Sequence, residues 1–503
     1  MMPQLAKKKG FMLIQTIVFA GIAVVIVSSL VAWAGINLRN SRSAVYKEKA
    51  LQVAEAGIEY YRWHLAHAPQ DYFDGHATSS SSYTHNFYDK DGVEIGYFIL
   101  RITPPIPGST IVTIESEGHV SAQPTLKRII RTQLAIPSLA KYAFVSNSDM
   151  RFGAGTEVFG PIHSNGGIRF DGFAHNIVSS AQSTYNDPDS DDCNGGSSFG
   201  VHTCDSPNDP SPPAAVPSRP DVFESGRQFP VQAIDFVGMT NNLSQIKTDA
   251  QASGRYFAAS GALGYKIVLN AVSGGTDTFT ISRVNTLRAA PSGCTTSGET
   301  GWGTWSIGTG GGALTVIGTY PIPSNGLIFV EDNAWVQGSI SDTRVTIASG
   351  KFPDNASTRT SITVNEDINY TYTDGRDVVA LIAQNNINAG LYSADVLDID
   401  AALMAQNGRI GRYHYNTSCK DSGSNGTQWW HRTTLNLYGM IGSSARYGFS
   451  FTGSNWNCGG SIGNIGSGYC ARNITYDANL LYGPPPSFPL TSDQYSIISW
   501  EEI

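Results

Sequence analysis

The feature that most constrains this chain is a run of 28 residues without a charged side chain, from position 11 to Leu38. A helix of about 20 apolar residues is enough to cross a lipid bilayer, so this run predicts a membrane-spanning helix. Three lysines at positions 7 to 9 precede the run, and by the positive-inside rule they hold that end in the cytoplasm. The rest of the chain is therefore exported. No second long apolar run occurs in the 503 residues, which excludes a multipass membrane protein.

An ordinary secretory signal differs from this N-terminus in two ways. Its apolar stretch is shorter, and a small-residue cleavage site follows that stretch. Here the stretch is long, and the small residue, Gly10, comes before it. From composition alone, the simple interpretation is a signal anchor that is never cut.

The residues KKKG followed by FMLIQTIVFAGIAVVIV resemble the class III leader of type IV prepilins. The resemblance implies a leader over residues 1–10, cleavage after Gly10 by a prepilin peptidase, and methylation of the new N-terminus, Phe11. It also implies that residues 11–68 form a transmembrane and stem helix. This helix would anchor the chain in the inner (cytoplasmic) membrane and later contact other pilins in the core of an extracellular filament at the cell surface.

One position departs from the family pattern. Pilins usually carry Glu at the fifth mature position, where this chain has Gln15. A carboxylate inside a lipid or filament core is costly unless it is paired, and an amide keeps hydrogen-bonding capacity without the charge. In the family that Glu is thought to pair with a neighbouring subunit during assembly, and some minor, tip-located pilins lack it. Gln15 therefore favours a minor subunit over the major repeating one.

The helix is predicted to continue beyond the membrane as a stem. Apolar positions recur at roughly helical spacing, at Val45, Leu51, Ala54, Ile58, Tyr61 and Leu65. Pro69 marks the end of this pattern. A plain amphipathic helix is one interpretation. The segment ALQVAEAGIEYY resembles the second half of the N-terminal helix in PilX-type minor pilins, which favours a pilin stem.

Residues 69–136 are predicted to form a small antiparallel β head of the pilin type. Residues 71–91 are polar and Ser-rich, which indicates a loop. Three β-branched runs follow, GVEIGYFILRIT, STIVTIESEGHV and TLKRIIRTQLAI, with Pro- or Gly-containing turns between them. Three strands make only a small sheet, so we expect the apolar face of the stem helix to cover it.

The remaining chain is predicted to be mainly β. With 53 Gly and 24 Pro, the composition favours short strands and turns over long helices. Residues 137–235 form a β-rich region that includes an acidic Ser/Asp/Pro loop. Residues 236–310 form a small α+β insert, with a helix over MTNNLSQIKTDAQASG and a hairpin made by YKIVLNAV and DTFTISRV.

Residues 311–503 are predicted to form a β-solenoid-like (β-helix) region with a C-terminal cap. Apolar strand cores begin at Leu327, Val345, Ile362, Leu381 and Leu403, with successive offsets of 18, 17, 19 and 22 residues. A short and nearly constant period of strand, turn and polar loop is typical of stacked solenoid turns. A β-sandwich with regular strand spacing is the alternative.

The acidic loop is a candidate for calcium, because its 186–196 segment carries four aspartates. They are Asp187, Asp189, Asp191 and Asp192. An EF-hand loop needs Gly at its sixth place and Glu at its twelfth, where this chain has Asp192 and Ser198. A solvated acidic loop is therefore preferred, and calcium stays open. The tetrapeptide HSNG at 163–166 is interpreted as turn chemistry, since a lone His is not a metal site.

Six cysteines lie in the exported part, at Cys193, Cys204, Cys294, Cys419, Cys458 and Cys470. An even number outside the cytoplasm suits disulfides, and none forms the close pair typical of a zinc or redox site. The connectivity does not follow from the sequence. We expect first a bridge between Cys193 and Cys204, which would close the acidic loop. One further bridge is expected among the last three cysteines.

No P-loop, dinucleotide fingerprint or HExxH motif occurs, so we predict no enzymatic activity, no cofactor and no metal. The enzyme alternative is a polysaccharide lyase, because solenoid folds host such enzymes. Its acid/base groups would come from Asp395, Asp398, Asp400, Arg409 and Arg412. Charges like these occur on every soluble surface, so we interpret them as solvated strand edges.

Four tryptophans could instead form a binding surface. Trp429 and Trp430 lie between Gly/Ser/Asn-rich stretches, and Trp302 and Trp305 lie in a Gly-rich loop. Exposed aromatic rings with polar neighbours stack on sugar rings or anchor partners, whereas buried rings only support loops. Burial is the preferred interpretation, and Trp429 and Trp430 are kept as possible contacts to a glycan or surface ligand.

The charge balance and the N-terminal resemblance together give the functional prediction. With 33 Lys+Arg against 41 Asp+Glu, the net charge of −8 argues against nucleic acid as the main partner. The sequence predicts a minor pilin or pilin-like subunit of a type IV pilus, with a tip, priming or adhesion role. The alternatives are a membrane-anchored surface adhesin unrelated to pili and a β-helix polysaccharide-active enzyme.

Overall fold

The computed structural model describes residues 10–105, 109–189, 191–236, 238–423, 426–459, 463–481, 483–490 and 494–503. Apart from Gly10, the leader predicted over 1–10 lies outside the described residues. One long N-terminal helix is followed by mostly β structure, as the sequence predicts. The chain forms two compact units. The first comprises residues up to 104, 112–135 and 494–503, and the second comprises 105–111 and 136–493.

Helix α1 spans Gly10–His67, close to the predicted range of 11–68. Its N-terminal part is exposed, and it is long and apolar enough to cross a membrane. Further along, one face is buried, at Ala50, Val53, Ala54, Ile58, Tyr61 and Leu65. Two stem residues differ from the prediction. Val45 is 54% exposed and Leu51 is half-buried, because the buried face begins at Ala50 and follows a slightly different stripe.

The strands of the first unit are β1 (Tyr83–Tyr88), β2 (Glu94–Thr103), β3 (Val112–Val120), β4 (Gln123–Ala135) and, at the C-terminus, β32 (Ser496–Glu502). They form one antiparallel sheet in the order β1-β2-β3-β4-β32. The second unit is thus inserted in the chain between two neighbouring strands, β4 and β32.

This sheet corrects three expectations. It has five strands where three are predicted, and β1 lies within residues 71–91, which the composition indicates as a loop. The last strand, expected in the cap of the solenoid-like region, pairs along β4 instead. Without β32, the 13-residue strand β4 would present a free edge of backbone N–H and C=O groups. The backbone groups of that edge instead pair with residues more than 350 positions away in the sequence. No local pattern reveals this pairing.

Glycines let α1 approach this sheet closely. A Cβ atom on Gly118 of β3 would overlap the carbonyl oxygen of Ala50 and the amide nitrogen of Ala54 in α1. A Cβ atom on Gly57 of α1 would overlap the hydroxyl group of Ser116. The helix and the strand therefore pack backbone against backbone, which only glycine allows.

The second unit is built from short strands. They are β5 (Phe144–Ser146), β6 (Met150–Phe152), β7 (Glu157–Val158), β8 (Ile162–Ser164), β9 (Ile168–Phe170), β10 (Phe173–Ala174), β11 (Val178–Ser180), β12 (Thr184–Asn186), β13 (Ser197–Phe199), β14 (Val201–His202), β15 (Arg227–Gln228), β16 (Arg255–Phe257), β17 (Gly264–Asn270), β18 (Thr278–Val284), β19 (Leu314–Pro321), β20 (Leu327–Val330), β21 (Ala334–Ile340), β22 (Arg344–Ser349), β23 (Ile362–Thr363), β24 (Ile368–Tyr370), β25 (Val378–Ala383), β26 (Ile387–Ala389), β27 (Val396–Ala405), β28 (Ile410–Arg412), β29 (His431–Ser443), β30 (Ser450–Asn457) and β31 (Asn464–Tyr476). Helix α2 spans Gly238–Ala252, and 3-10 helices span Leu139–Lys141 and Ala478–Leu481.

Ten of these strands pair in parallel, in the order β16-β20-β22-β25-β27-β29-β5-β8-β11-β15. We call this set the first ladder. Its register stacks buried apolar residues in one column: Ile328, Ile347, Leu381, Leu403, Ile441, Phe144, Ile162 and Val178. In this ladder β5 pairs with β29. Backbone hydrogen bonding therefore joins the regions predicted at 137–235 and 311–503 into one set of paired strands.

Parallel pairing also links the other strands. Strand β17 pairs with β21, and the two halves of β21 pair with β23 and β24. From there β23 continues to β26 and β28, and β24 pairs with β27. A shorter set runs β6-β9-β14. Antiparallel pairs complete the unit, including β17-β18-β19 and β30-β31.

The spacing between stacked strands is less regular than the sequence period predicts. Along the column, the steps from residue 328 to 347, 381, 403 and 441 are 19, 34, 22 and 38 residues. Ile362, expected in the same series, lies in β23 and pairs with Ala334 and Ile387 outside the first ladder. Loops and extra strands of different lengths separate the stacked strands in sequence. The spacing of strands along the chain therefore does not show which strands are neighbours in the ladder.

The helix and hairpin of the predicted α+β insert are present, but they belong to the same unit as the ladders. Strands β16 and β17 pair in parallel with β20 and β21. Helix α2 packs Leu243, Ile246 and Ala250 against Leu327 and Phe329. These two residues alternate with the column residues along β20, so α2 covers the opposite face of the first ladder.

Replacing Gly118 by alanine should loosen the packing of α1 on its sheet. The added methyl group overlaps backbone atoms of Ala50 and Ala54, which cannot rotate away, and overpacking of this kind costs about 1–3 kcal/mol. Hydrogen–deuterium exchange of peptides from β3 and β4 should accelerate. The control Gly35→Ala adds the same group to α1 with nothing within 4 Å and should leave exchange unchanged. Unchanged exchange in Gly118→Ala would contradict the close packing.

Candidate ligand-binding groove

The expected processing site lies at the start of α1. The helix begins at Gly10, so the bond between Gly10 and Phe11 lies in its first turn. Gln15 is exposed on the part of α1 that is apolar enough to span a membrane. Cleavage, methylation and contacts to other subunits stay predictions.

All six cysteines form disulfides, which pair Cys193 with Cys204, Cys294 with Cys419, and Cys458 with Cys470. The first bridge closes the acidic loop, and the third lies within the C-terminal group of three cysteines. Cys419 pairs with a residue 125 positions away instead of with Cys458 or Cys470. The long bridge depends on where the stacked strands place their connecting loops, and sequence spacing does not contain that information.

Arginine side chains neutralise the acidic loop. Asp191 receives two hydrogen bonds from Arg151, at 2.8 and 2.6 Å, and Asp189 receives two from Arg446, at 3.1 and 2.9 Å. Arg169 also donates to Asp191, at 3.1 Å. The bonds from Arg151 are the main reason why the pKa of Asp191 lies below its ordinary value. A calcium ion would meet three guanidinium groups here, so this geometry argues against calcium.

A second group of possible metal ligands lies at the same loop, formed by Asp192, Cys193, His202 and Cys204. The two cysteines are bonded to each other, so neither can supply a thiolate. Among the described residues, no other cluster of His, Cys, Asp and Glu side chains converges in this way.

The HSNG segment at 163–166 has a structural role. The Asn165 side-chain amide donates to the carbonyl oxygen of Ile234 and to Asn147 Oδ1, both at 2.7 Å, and accepts from the Ile234 amide at 2.8 Å. His163 is buried, and burial lowers its pKa. The segment therefore ties neighbouring loops together.

The charged residues considered for a lyase are engaged in bonds to neighbouring protein groups. Arg412 is buried and donates to the carbonyl oxygens of Leu391 and Trp430, both at 2.9 Å. Arg409 forms an ion pair with Glu299 at 2.9 Å. The three aspartates, Asp395, Asp398 and Asp400, accept hydrogen bonds from Thr433, Asn436 and the Tyr370 amide, respectively. These groups fix neighbouring loops and strands.

Trp429 lines a surface groove of about 500 Å³. The sequence does not indicate that the other lining residues share a surface with Trp429. The lining residues are Tyr392, Ser393, Ala394, Asp395, Thr427, Gln428, Trp429, His431, Arg432 and Trp456. Trp430 is buried in an internal cluster with Tyr415 and Cys419 and does not line the groove. The ligand contact considered for Trp430 is therefore replaced by a packing role.

Aromatic rings dominate the groove. Trp456 is 39% exposed and stacks on His431, with ring centroids 4.1 Å apart and planes tilted by 17°. Tyr392 meets Trp429 edge to face, with centroids 4.8 Å apart. The Arg288 guanidinium lies 3.5 Å from the centroid of Tyr392 and 5.0 Å from that of Trp429. Arg432 lies 4.7 Å from the Trp429 centroid as well, so the groove presents the exposed ring of Trp456 beside two rings that already contact guanidinium groups.

Buried arginines hold the backbone below these rings. Arg432 donates to the carbonyl oxygens of Ser393 and Leu391, at 2.8 and 3.1 Å. Arg412 donates to the carbonyl oxygen of Trp430 from the other side. Burial, and next the charge of Arg412, lower the pKa of Arg432 to about 10, so it remains protonated at neutral pH. Charge-assisted bonds to backbone oxygens from several loops make the groove rigid.

The sequence carries only a weak signal for this groove. Tyr392 follows β26, His431 begins β29 and Trp456 lies in β30. Aromatic residues next to strand ends are common, and nothing in their spacing indicates a shared surface. The parallel pairing of β27 with β29, and of β29 with β31, brings these segments together.

Comparison with known proteins finds a distant structural similarity. No protein-family model and no curated protein sequence matches the chain. The competence-associated pilin ComZ from Thermus thermophilus aligns over 91% of this chain and 97% of its own, with a TM-score of 0.31 and 12% sequence identity. A similarity of this size establishes neither a shared fold nor a shared function.

Calcium should leave the acidic loop unchanged at neutral pH, because Arg151 and Arg446 already neutralise Asp191 and Asp189. Limited proteolysis within residues 181–209 should proceed at the same rate in calcium and in EDTA. The double variant Arg151→Gln/Arg446→Gln removes the two-bond arginine partner of each carboxylate, so its loop should be cut faster and gain protection from calcium. Calcium-dependent protection of the unchanged protein would contradict this assignment.

Removing the long disulfide should weaken the second unit more than removing the short one. In the chain-entropy model a bridge across 125 positions contributes about 5 kcal/mol and one across 11 positions about 3 kcal/mol. We expect Cys294→Ser/Cys419→Ser to lower the unfolding temperature further than Cys193→Ser/Cys204→Ser, as followed by tryptophan fluorescence. It should also increase hydrogen exchange around Trp429. Equal losses in both double variants would contradict the ranking.

Proposed function

We propose that this protein is a minor subunit of a type IV pilus, with a PilX-type N-terminal helix and a tip, priming or adhesion role. It is first anchored in the inner membrane, processed by a prepilin peptidase after Gly10, and then built into the filament through contacts of α1 with other pilins. The second unit is exposed outside the cell.

The observation that carries this proposal is the division of α1 into two parts with different surroundings. From Met12 to Leu38 the helix is apolar, uncharged and exposed, so it needs a membrane or neighbouring helices to cover it. From Ala50 onwards one face packs on an antiparallel sheet, with glycines at the contact. A helix that is half anchor and half core of a small β head suits a subunit that leaves the membrane for a filament.

Two features favour a minor subunit over the major one. Gln15 replaces the Glu that resembling proteins use to pair with a neighbour during assembly. More than 400 residues follow the stem, and most of them belong to the second unit, which is inserted in the chain between strands β4 and β32. If every subunit carried a second unit of this size, these units would clash at the tight spacing of subunits in a filament. A single copy at the filament tip is not hindered in this way.

We infer that the stacked parallel strands of the second unit form a β-solenoid. The column of apolar residues in the first ladder supports this. A solenoid used as a scaffold needs no catalytic groups, and the candidate lyase residues are committed to structural bonds. We therefore propose a contact role and no catalysis for this unit.

The competing function is a membrane-anchored surface adhesin unrelated to pili. It shares the anchor, the exported β structure and the groove, and differs in two properties. Its N-terminus would keep the leader, and the protein would stay in the membrane fraction when filaments are sheared from cells.

Native protein should begin at N-methylated Phe11 and should occur in sheared pili at a small fraction of the major subunit. Mass spectrometry of the N-terminus and quantitative proteomics of the same pili measure both properties. Gly10→Val removes the small residue that the peptidase requires in the resembling family, so the leader should remain and the protein should be lost from pili.

A matched control is Gly21→Ala, which changes another glycine of α1 with nothing within 4 Å and should not alter processing. An intact leader in cells that process other prepilins would refute the pilin proposal. An amount near that of the major subunit would refute the minor role.

A further inference from the structure

We propose that the groove at Trp429 and Trp456 binds the sugar rings of an acidic glycan, with the ring faces on the aromatic side chains and a carboxylate beside Arg288. This inference deepens the adhesion role within the proposed function and rests on it only for the biological setting. The binding itself is a property of the second unit.

The aromatic surface fits the apolar face of a pyranose ring. A sugar ring has one face of C–H groups and a rim of hydroxyls, and it is held well by aromatic rings with polar groups at their edge. His431 covers one face of the Trp456 indole, so the 39% exposure of Trp456 comes from its other face and its edges. Trp429 and Tyr392 extend the aromatic lining along the groove.

Polar groups at the rim can bind hydroxyls. The Asp395 carboxylate accepts from the hydroxyl of Thr433 at 2.9 Å and from its amide at 3.2 Å, and it keeps further lone pairs for other donors. Gln428 lines the same groove and carries both a donor and an acceptor. A sugar can hydrogen-bond both rim groups through its hydroxyls, whereas apolar side chains cannot.

Arg288 gives the site its preference for an acidic sugar. Its guanidinium stacks on Tyr392, and among the described residues it forms no ion pair with a carboxylate. Tyr392 and Arg288 also line a neighbouring cavity of about 260 Å³, together with Lys266 and Glu366. The two cavities share Tyr392, so a chain of sugar units that lies over Trp456 and Trp429 can continue to Arg288.

The groove is already organised for binding. The backbone carbonyl oxygens of Trp429 and Trp430 accept hydrogen bonds from the buried Arg412. Cys458, two residues after Trp456, is bridged to Cys470 in β31, and Cys419 is bridged to Cys294. Side chains fixed before binding lose little conformational entropy when the ligand arrives, which a weak carbohydrate site requires.

Single-stranded nucleic acid also stacks on tryptophan, but the surroundings favour a glycan. Phosphate binding needs clustered Lys and Arg along a groove, and the net charge of this chain is −8. Across the two cavities, Arg432 uses its donors on backbone carbonyls, so only Arg288 and Lys266 can face a ligand anion. One carboxylate at a time suits this arrangement better than a run of phosphates.

The test is a titration of the purified full-length chain in detergent, followed by tryptophan fluorescence and calorimetry. Four acidic probes, tetragalacturonate, an alginate tetramer, a hyaluronan tetrasaccharide and sialyllactose, are compared with neutral cellotetraose. We expect at least one acidic probe to bind more tightly than cellotetraose. Trp456→Ala should weaken that probe about tenfold, as loss of one stacking contact does. Arg288→Gln should weaken it by a similar factor without affecting cellotetraose.

Trp302→Ala is the matched control, because Trp302 is also 39% exposed and does not line either cavity. Its affinity should equal that of the unchanged protein, and retention of all three disulfides shows that each variant is folded. Absence of binding by all five probes at millimolar concentration would overturn the proposal. Equal binding of acidic and neutral probes would overturn the role of Arg288. Trp456-dependent binding of oligothymidylate in place of sugars would assign the groove to nucleic acid.

These readouts separate the groove from the pilin proposal. N-terminal processing and the amount in sheared pili are measured in cells and do not depend on Trp456. Normal processing without sugar binding would remove the groove proposal alone, and sugar binding with an intact leader would remove the pilin proposal alone.

Discussion

The parallel register of the first ladder is the constraint on which the second unit depends. Eight of its ten strands each place one apolar side chain in the column that runs through Ile347, Leu381, Leu403 and Ile441. A shift of one residue in any strand would turn its buried side chains to the opposite face, where a different set is already packed. The same register carries the chain from β29 to β5, so residues near 144 continue a stack formed by residues near 441.

The first ladder also determines which loops lie close enough together to contact a ligand. Strands fixed in register deliver their connecting loops to the same side of the stack, and polar backbone groups in those loops then need partners. Arg412 and Arg432 supply these partners. They donate to carbonyl oxygens of residues that lie about 20 to 40 positions before them in the sequence. A buried guanidinium is costly, and the hydrogen bonds to several carbonyls offset that cost. The half-buried ring of Trp429 and the exposed ring of Trp456 rest on this framework.

The charged side chains of the acidic loop are also paired within the protein. The aspartates at 189 and 191 look like a cation site in the sequence, yet each is matched by an arginine from another segment. The surface that a divalent ion would need is therefore already neutral. Disulfides complete the fixation of loops that have few apolar residues of their own, which suits a protein exposed outside the cell.

The sequence by itself determined the elements whose signals are local. A charge-free run after Gly10 dictates an apolar helix, alternating β-branched residues dictate short strands, and closely spaced Cys193 and Cys204 can meet without help from the rest of the chain. Tertiary structure decided the contacts between distant segments. It placed β32 beside β4, Cys294 beside Cys419, arginines beside the acidic loop, and Trp456 and Tyr392 around the groove with Trp429. Such contacts arise from backbone pairing and packing between residues far apart in sequence, and local composition carries no record of which strand edge or loop will lie opposite.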